Sequence, residues 1–376
     1  MRVVMFVHSI RSDWNHGSAH FLRGIARELQ ARGHQVAIYE PRENWSAMNL
    51  AREAGGPALE AYREAYPTLK PTIYTLDHLD LDQVLADAQL VLVHEWNPAS
   101  LIASIGQYRK RGGRFTLLFH DTHQRTILQD DEIGTRDLSG YDGVLVIGEV
   151  IREHYLRDGW ARRVWTWHEA ADTRVFFPRP EPVHYRKSDL IWVGNWGDGE
   201  RTGEIYEFLL NPVRRLNLKG HVYGVRYPRP GIVAIEQTGL AFGGWLPNHR
   251  VARALSDHHV TVHIPRRAYA EHLPGIPTIR VFEALATGVP LVCAPWHDTE
   301  HLFQPGRDFL VAPDGARMTS MLRQVLHDPA FASSLVRSGR RTIEARHTCA
   351  HRVNELMAIV QQIAAPAART RAHGAA

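Results

Sequence analysis

The feature that most constrains the fold is an alternation of strand-like and helix-like segments that occurs twice along the chain. Near the start, RVVMFVH is a β-branched run, SAHFLRGIARELQARG has apolar residues at helical spacing, and HQVAIYE is a second strand-like run. A strand–helix–strand unit of this kind predicts a parallel sheet. A polar helical insertion follows, and after it come four more strand-like runs, LVLVHEW, FTLLFHD, GVLVIG and VWTWHE. Helices are expected between these runs, over about 98–111 and 149–156. The first half is therefore predicted to be doubly wound.

A proline-rich stretch without periodicity, AADTRVFFPRPEPVHYRKSD, interrupts the alternation and has the composition of a linker. Beyond it the pattern resumes with LIWVGNW, HVYGV, GIVAIE, HVTVHIP, PLVCAP and DFLVAP as strands. Helices are expected near 201–210 and 248–256, and three more extend to about 364. Two open α/β domains are thus predicted to face each other. Open sheets bind ligands beyond the carboxyl ends of their strands, so the cleft between them is the expected site.

Several classes of protein are disfavoured by the sequence. Neither a G-x-G-x-x-G motif after a strand nor a P-loop motif occurs, which argues against dehydrogenases and P-loop NTPases. The formal charge of +4 is compatible with an anionic ligand or peripheral contact with a membrane surface, and is too diffuse to indicate nucleic acid. The apolar runs fall short of the roughly 20 residues of a membrane span. With no signal-peptide layout at the N-terminus, a cytoplasmic location is expected.

The segment TIRVFEALATGVPL carries the first candidate for a binding site. Thr278 can cap a helix that Gly288 ends, and Arg280 and Glu283 share one face at i,i+3. Spacing alone predicts an exposed ion pair. However, the preceding loop IPRRAYAEHLPGIP would leave the helix N–H groups and positive dipole end available to a diphosphate. Arginines of the loop and helix could add charge-assisted contacts, and a carboxylate one turn further could bind a ribose diol.

Six motifs, in this order and spacing, resemble those of GT-B glycosyltransferases over nearly the whole chain. They are HGSAHFLRGIARELQARGHQV, FHDTH, EAADTRVFFP, LIWVGNW, GIPTIRVFEALATGVPL and HTCAHRVNELM. More narrowly, the sequence resembles the CgeB-like (spore maturation protein) group of the family-4-like superfamily. The resemblance implies an α/β fold of two Rossmann-like domains, residues 1–175 on the acceptor side and 186–350 on the nucleotide-sugar side. Helix 351–365 would cross back to the N-terminal domain, and 366–376 are expected to be a disordered tail.

The resemblance also implies which residues bind the donor. Glu283 matches the second glutamate of the family's motif, which holds the donor ribose, whereas Gly275 stands at the position of the first glutamate. Glycine permits close approach, so backbone N–H groups around Gly275 could contact the phosphates or the sugar. Arg201 matches a basic residue on the diphosphate, and Asn195 follows a strand at the nucleotide pocket. The expected donor-binding residues are Glu283, Arg280, Arg201, Asn195, Gly275, Ile276 and Thr278.

In the first half, His120, Asp121 and His123 follow a predicted strand and are the catalytic candidates. The resemblance implies that His120 lies beside the donor sugar and the acceptor, and the spacing leaves open which of the three is the base. A His-Asp-x-His sequence supplies too few ligands for zinc, so no metal ion is expected. The loop after the first strand offers Asp13, His16, Gly17 and Ser18 to an acceptor or a phosphate, and Ser18 is also a candidate N-cap.

The expected function is transfer of a sugar, as in a hexosyltransferase, from a nucleoside-diphosphate sugar to an acceptor hydroxyl. A UDP-sugar is the expected donor, and neither a metal ion nor another cofactor is expected. A nucleotide-sugar epimerase and a non-catalytic nucleotide-sugar binding module are the alternatives, the latter because of Gly275. A transferase that acts on modified DNA is a further alternative because of the basic pI of about 9.1, although nucleic acid is not the expected partner. The sequence leaves open the acceptor, whether small molecule, glycan or protein, and also the stereochemistry and the oligomeric state.

Overall fold

The computed structural model describes residues 1–122, 136–179, 186–197 and 199–365. Two predictions concern residues outside this description: the catalytic role of His123 and the disorder of the segment 366–376.

The first half contains a seven-stranded parallel sheet with the strand order β3-β2-β1-β4-β5-β6-β7. In β1, Val3 pairs with Val36 on one side and with Leu90 on the other. The strands β1, β4, β5 and β6 are buried on both faces, which explains their nearly continuous apolar character. Their bounds are β1 Arg2–Phe6, β2 Gln35–Pro41, β3 Thr72–Tyr74, β4 Leu90–His94, β5 Thr116–Asp121, β6 Gly143–Val146 and β7 Val164–Thr166.

The second half contains a six-stranded parallel sheet with the order β10-β9-β8-β11-β12-β13. Both sheets reverse their winding direction beside the first strand of the half, which creates a crevice at the carboxyl ends. This architecture confirms the predicted α/β fold. The bounds are β8 Ser188–Val193, β9 Gly220–Tyr223, β10 Leu240–Phe242, β11 His258–His263, β12 Leu291–Cys293 and β13 Leu310–Val311.

Helices cover both sheets, and the polar insertion of the first half forms two of them, as predicted. Those of the first half are α1 Ala19–Ala31, α2 Trp45–Ala54, α3 Gly56–Ala65, α4 Leu81–Leu85, α5 Ala99–Lys110 and α6 Glu149–Arg157, with a 3-10 turn at Leu76–His78. Those of the second half are α7 Thr202–Ile205, a π-helical segment Tyr206–Leu210, α8 Asn211–Leu216, α9 Arg229–Glu236, α10 Asn248–Ser256, α11 Arg267–Glu271, α12 Ile279–Thr287, α13 Gly315–His327, α14 Pro329–Arg346 and α15 Cys349–Ala364.

One predicted strand is wrong. GIVAIE belongs to helix α9 rather than to a strand. The buried residues of this helix are Gly231, Ala234 and Ile235, which follow the i, i+3, i+4 spacing of a helix face. Pro230 in the first turn also suits a helix start, because a proline there loses no intrahelical hydrogen bond.

The last helix, α15, returns to the first half, as predicted. The Arg32 guanidinium donates to the Asn354 side chain at 2.6 Å and to the Ala350 carbonyl at 2.9 Å. The Trp167 indole donates to the Arg352 carbonyl at 2.9 Å. Apolar residues of α1, α12 and α15 belong to one buried cluster, so the two halves share a core beneath the crevice.

No helix in the described part of the chain combines the length and apolar character needed to cross a bilayer.

Candidate active site

A cavity of about 740 Å³ opens between the carboxyl ends of the two sheets. The first half contributes the loop between β1 and α1, the start of α2, and residues that follow β4, β5 and β7. The second half contributes the loops after β8, β9, β10 and β11 and the first turn of α12. The charged side chains of the lining are Asp13, Glu169, Arg201, Arg226, Arg266 and Arg280.

Helix α12 is buried to an extent that its sequence did not indicate. Every residue of the helix except Arg280 is buried, because α10 and α14 pack against it from other parts of the chain. The predicted ion pair between Arg280 and Glu283 is present, but it is not exposed. Gly288 ends the helix in the left-handed conformation with φ of 76°, as predicted.

Glu283 lies under the cavity rather than in its lining. Its side chain is only 1% exposed. One oxygen accepts a hydrogen bond from the Asn248 amide at 2.7 Å, and the other accepts from Arg280. The carboxylate therefore holds Arg280, which does line the cavity. Direct contact between Glu283 and a ribose, as the resemblance implied, would require this buried carboxylate to become accessible from the cavity.

Thr278 occupies the N-cap position of α12, but its hydroxyl does not cap the helix. The hydroxyl is paired instead with Nε2 of His263 at 2.9 Å. Burial, followed by the charges of Arg201 and Arg280, lowers the pKa of His263 to about 3. His263 is therefore neutral at physiological pH and fixes the Thr278 side chain in the cavity wall.

Arg201 and Asn195 both line the cavity. Arg201 donates to the Ile264 carbonyl at 2.5 Å and to the Asn195 carbonyl, and its guanidinium lies 5.6 Å from the centre of a Trp192 ring. Burial lowers the pKa of Arg201 to about 10, so the group stays charged. The Asn195 side chain donates to Asn15 and accepts from the Val225 N–H at 3.0 Å. Asn195 thus joins the two halves across the cavity.

Gly275 and Ile276 do not line the cavity. Gly275 adopts φ of 87°, and a β-carbon there would come within 2.8 Å of the Glu300 side chain, so a glutamate could not be placed in this backbone conformation without strain. Ile276 packs into the apolar cluster of the first half, against Gly148. The structure therefore places both residues in the contact between the two halves. They had been expected instead to approach the donor.

His120 and Asp121 also lie outside the cavity lining. The His120 ring packs against Phe21 and Trp167, with centroid distances of 5.9 and 5.0 Å, and burial lowers its pKa to about 3. Asp121 is fully buried and accepts a hydrogen bond from the Tyr155 hydroxyl at 2.8 Å. Neither side chain reaches the cavity in this conformation, because alternate residues of β5 point into the two cores. The next residue, Thr122, does line it.

All four residues predicted in the loop after β1 line the cavity: Asp13, His16, Gly17 and Ser18. Asp13 has structural partners, since it pairs with Arg23 at 2.8 Å and accepts from the Trp245 indole at 3.0 Å and the Asn248 N–H at 3.1 Å. These bonds connect the loop to the second half. Ser18 precedes α1, but its side chain makes no capping hydrogen bond.

Glu169 is a site residue that the sequence did not reveal. It follows β7, lines the cavity and is 7% exposed. Its carboxyl group lies near the Ser18 hydroxyl and the backbone N–H of Ile279, at the start of α12. Burial is the largest influence, and together with nearby Glu283 it raises the pKa of Glu169 to about 7. The available signal was the motif EAADTRVFFP, in which an acidic residue follows the last strand of a sheet.

The chain resembles known glycosyltransferases in part of its sequence and in its whole fold. Residues 201–358 match the profile of a family described as Glycosyl transferase-like. No curated protein matches significantly. The chain is similar to sucrose-phosphate synthase from Thermosynechococcus elongatus, with 15% identity, a TM-score of 0.61, and 96% of this chain and 99% of that chain covered.

Two further solved structures are similar to the chain over nearly its whole length. A glycosyltransferase from Rickettsia africae ESF-5 has 10% identity and a TM-score of 0.65, with 96% of this chain and 98% of that chain covered. An alpha-glucosyltransferase in complex with UDP and DNA containing an HMU base has 11% identity and a TM-score of 0.70, with 96% and 99% covered. At these identities the similarity concerns the fold. The chain therefore has the GT-B fold, and its second half has a glycosyltransferase-like sequence.

Proposed function

We propose that this protein is a glycosyltransferase that moves a sugar from a nucleoside-diphosphate donor to an acceptor hydroxyl. The observation that carries the proposal is the convergence of Arg201, Arg266 and Arg280 on one cavity at the carboxyl ends of two Rossmann-like sheets. A cavity lined by these three guanidinium groups, and also by Arg226, suits a diphosphate, which guanidinium groups bind through charge-assisted hydrogen bonds. The glycosyltransferase-like profile over 201–358 and the GT-B fold support this assignment.

We assign binding of the diphosphate mainly to the arginine side chains and less to the N-terminus of α12. The Glu169 carboxyl group lies near the first N–H of α12 and would compete with a diphosphate for it. Glu283 acts through Arg280, which it holds at the cavity wall. As the bond between the anomeric carbon and the diphosphate breaks, its electron pair moves to the diphosphate, and the arginines stabilise that charge. This arrangement supports catalysis without a metal ion.

Glu169 is the proposed acid–base residue. Among the described residues, the cavity lining contains two carboxylates, Asp13 and Glu169. Asp13 is already held by Arg23, Trp245 and Asn248. Glu169 has no ion-pair partner among the described residues, and its pKa of about 7 suits proton transfer at neutral pH. In the proposed step, Glu169 takes the proton of the acceptor hydroxyl while the acceptor oxygen bonds to the anomeric carbon.

A UDP-sugar is the proposed donor, because several proteins of the same fold were solved with UDP or UDP-glucose. A hexose is the proposed sugar on the same ground. Isothermal titration with UDP, GDP, TDP and CDP tests the nucleotide, and mass spectrometry of donor incubations tests the reaction. Transfer or hydrolysis releases the free nucleotide, whereas an epimerase leaves the nucleotide attached to a sugar of unchanged mass.

Arg280→Ala provides the test of the site. We expect it to weaken binding of the nucleoside diphosphate about tenfold to a hundredfold, because one guanidinium contact is lost. Arg267→Ala is the matched control, since Arg267 is an exposed arginine that pairs with Glu204 and does not line the cavity. Equal affinities in both variants and the wild type would contradict the proposed site. Tight binding without turnover of any donor would favour a non-catalytic binding module.

A further inference from the structure

Three tryptophans form a continuous aromatic wall on the first-half side of the cavity. Trp14 lies in the loop after β1, Trp45 begins α2, and Trp96 follows β4; all three line the cavity. The ring centroids of Trp14 and Trp45 are 6.1 Å apart, and those of Trp45 and Trp96 are 5.5 Å apart. We call these residues the tryptophan wall. Three chain segments, distant in sequence, contribute one indole each to the same surface.

The tryptophan wall is supported from behind by a histidine. The His8 ring contacts Trp45 with a centroid distance of 5.0 Å and Trp96 with a distance of 5.6 Å. His8 itself is 3% exposed and does not line the cavity. Trp45 and Trp96 are half-buried, so part of each indole remains accessible from the cavity. Large aromatic surfaces held rigidly at a cavity wall are a common means of binding a ring-shaped ligand.

The geometry favours a ligand that packs against one face. The indoles contact each other at interplanar angles of 73° and 60°, so they leave no parallel slot for a flat aromatic ring between them. A sugar ring has an apolar face of C–H groups and polar hydroxyls at its edge. The tryptophan wall offers an apolar surface to the C–H face of the sugar. Asn15, His16 and Asn49 line the same cavity and carry polar groups for the hydroxyls.

The charge of this side favours a neutral ligand. Among the described residues, the first half contributes no lysine or arginine to the cavity lining, while it does contribute Asp13 and Glu169. All four lining arginines come from the second half. A nucleic acid acceptor would need cationic contacts to several phosphates, and the described residues on this side of the cavity do not supply them.

We propose that the tryptophan wall is an acceptor subsite for a neutral sugar ring, so that the acceptor is a carbohydrate. This inference rests on the proposed glycosyl transfer. It adds the chemical class of the acceptor, which the fold and the family profile leave open.

The test uses the full-length protein and separates the acceptor from the donor. Binding of neutral methyl glycosides and disaccharides to the UDP complex is measured by saturation-transfer-difference NMR, and transfer to them by mass spectrometry. We expect at least one of these sugars to bind and to accept. Trp45→Ala and Trp96→Ala should raise its KM or Kd about tenfold or more, whereas UDP affinity and donor hydrolysis should change less than twofold.

Two controls guard against a general effect on folding. Trp45→Phe and Trp96→Phe keep an aromatic ring and should retain most of the acceptor affinity. Met48 lies on the same helix as Trp45, is 50% exposed and does not line the cavity, so Met48→Ala should have no effect.

The possible failures are distinguishable. If the protein turns over a donor but no neutral sugar binds, or if hydroxymethylated DNA or a phenol is the acceptor, the inference is overturned and the proposed function stands. Weaker UDP binding in the tryptophan variants would show that the wall holds the donor, and would also overturn the inference. If no nucleoside diphosphate binds and no donor is turned over, the proposed function itself fails, and the inference fails with it.

Discussion

At the scale of single residues, the site depends on a few side chains whose partners set their charge. Arg201 and Arg280 lie at the cavity wall, one held by backbone carbonyls and the other by Glu283. His263 is kept neutral by burial and by these two arginines. Glu169 has a raised pKa because burial penalises its charged form. Together they give the cavity fixed positive charge and one group that can exchange a proton near pH 7.

The proposed role of Glu169 predicts a specific pH profile. A base with a pKa of about 7 is active only when ionised, so kcat/KM for transfer should rise as pH increases through about 7 and then level off. Glu169→Gln should lower kcat about a hundredfold or more, because a general base contributes roughly 10²–10⁴-fold, and its remaining activity should lack this rise.

Nucleotide affinity of the Glu169→Gln protein is the control, and we expect it to be preserved. Ser18→Ala removes the hydroxyl that contacts Glu169, which should shift the pH midpoint upward with a smaller loss of kcat. An unchanged kcat and pH midpoint in Glu169→Gln would exclude Glu169 as the base.

At the scale of elements, α12 connects the core to the cavity. Its buried residues anchor it between α10 and α14, and this anchoring places Arg280 at the cavity. The Asn248 amide at the start of α10 donates to Glu283, and the His20 ring is paired with the same Asn248 side chain at 3.1 Å. A polar chain therefore runs from α1 through α10 to α12. Its members are buried, so each one needs its partner.

Because of this chain, Glu283→Ala should weaken both the fold and the site. The substitution removes the acceptor of the buried Asn248 amide and the partner of Arg280. Leaving buried polar groups without partners costs about 1–3 kcal/mol each, so we expect the free energy of unfolding to fall by roughly 2 kcal/mol in urea titrations. Donor affinity should fall as well, since Arg280 loses its position.

Glu271→Ala is a suitable comparison for Glu283→Ala. Glu271 is an exposed carboxylate at the end of α11 whose contact with Arg267 spans 3.8 Å, and its loss should change stability by less than about 0.5 kcal/mol. Equal stabilities of the two variants would contradict the account of α12.

Sequence patterns predicted most helices and strands, but they did not predict which other parts of the chain pack around each of them. Apolar runs located the strands because parallel strands are buried on both faces, whereas the short run GIVAIE was equally compatible with a strand and a helix. The i,i+3 spacing of Arg280 and Glu283 predicted their contact. It could not predict that contact's burial, which α10 and α14 create by packing from other parts of the chain. Glu169 was missed for the same reason, because its pKa depends first on burial and then on groups from other parts of the chain, such as Ser18 and Glu283.

At the scale of the whole molecule, buried neutral histidines couple the fold to pH. Burial lowers the pKa of His120, His263 and His347 to about 3 each, whereas an unfolded histidine titrates near 6.5. Below pH 6.5 the unfolded chain binds protons that the folded chain does not, so stability is present above pH 6.5 and is lost as pH falls. Glu169 acts in the opposite direction between about 4.5 and 7.

Burial also lowers the pKa of His258 to about 4, and it lowers the pKa of His20. These histidines outnumber the one glutamate, so unfolding takes up at least about two protons, and the free energy of unfolding should fall by at least about 2–3 kcal/mol per pH unit below pH 6. Thermal unfolding at pH 7, 6 and 5 measures this slope, and His347→Gln should make it shallower by about one proton. A melting temperature that stays constant from pH 7 to 5 would contradict the assignment of neutral histidines.

The central claim is that the cavity between the two sheets holds a sugar nucleotide with its diphosphate on the arginines of the second half. A crystal structure of the protein soaked with UDP tests this claim most directly. The account predicts electron density for the diphosphate within hydrogen-bonding distance of the Arg280 guanidinium, with Arg201 and Arg266 around it. Density for the nucleotide at another surface, with these three arginines unchanged and out of contact, would contradict it.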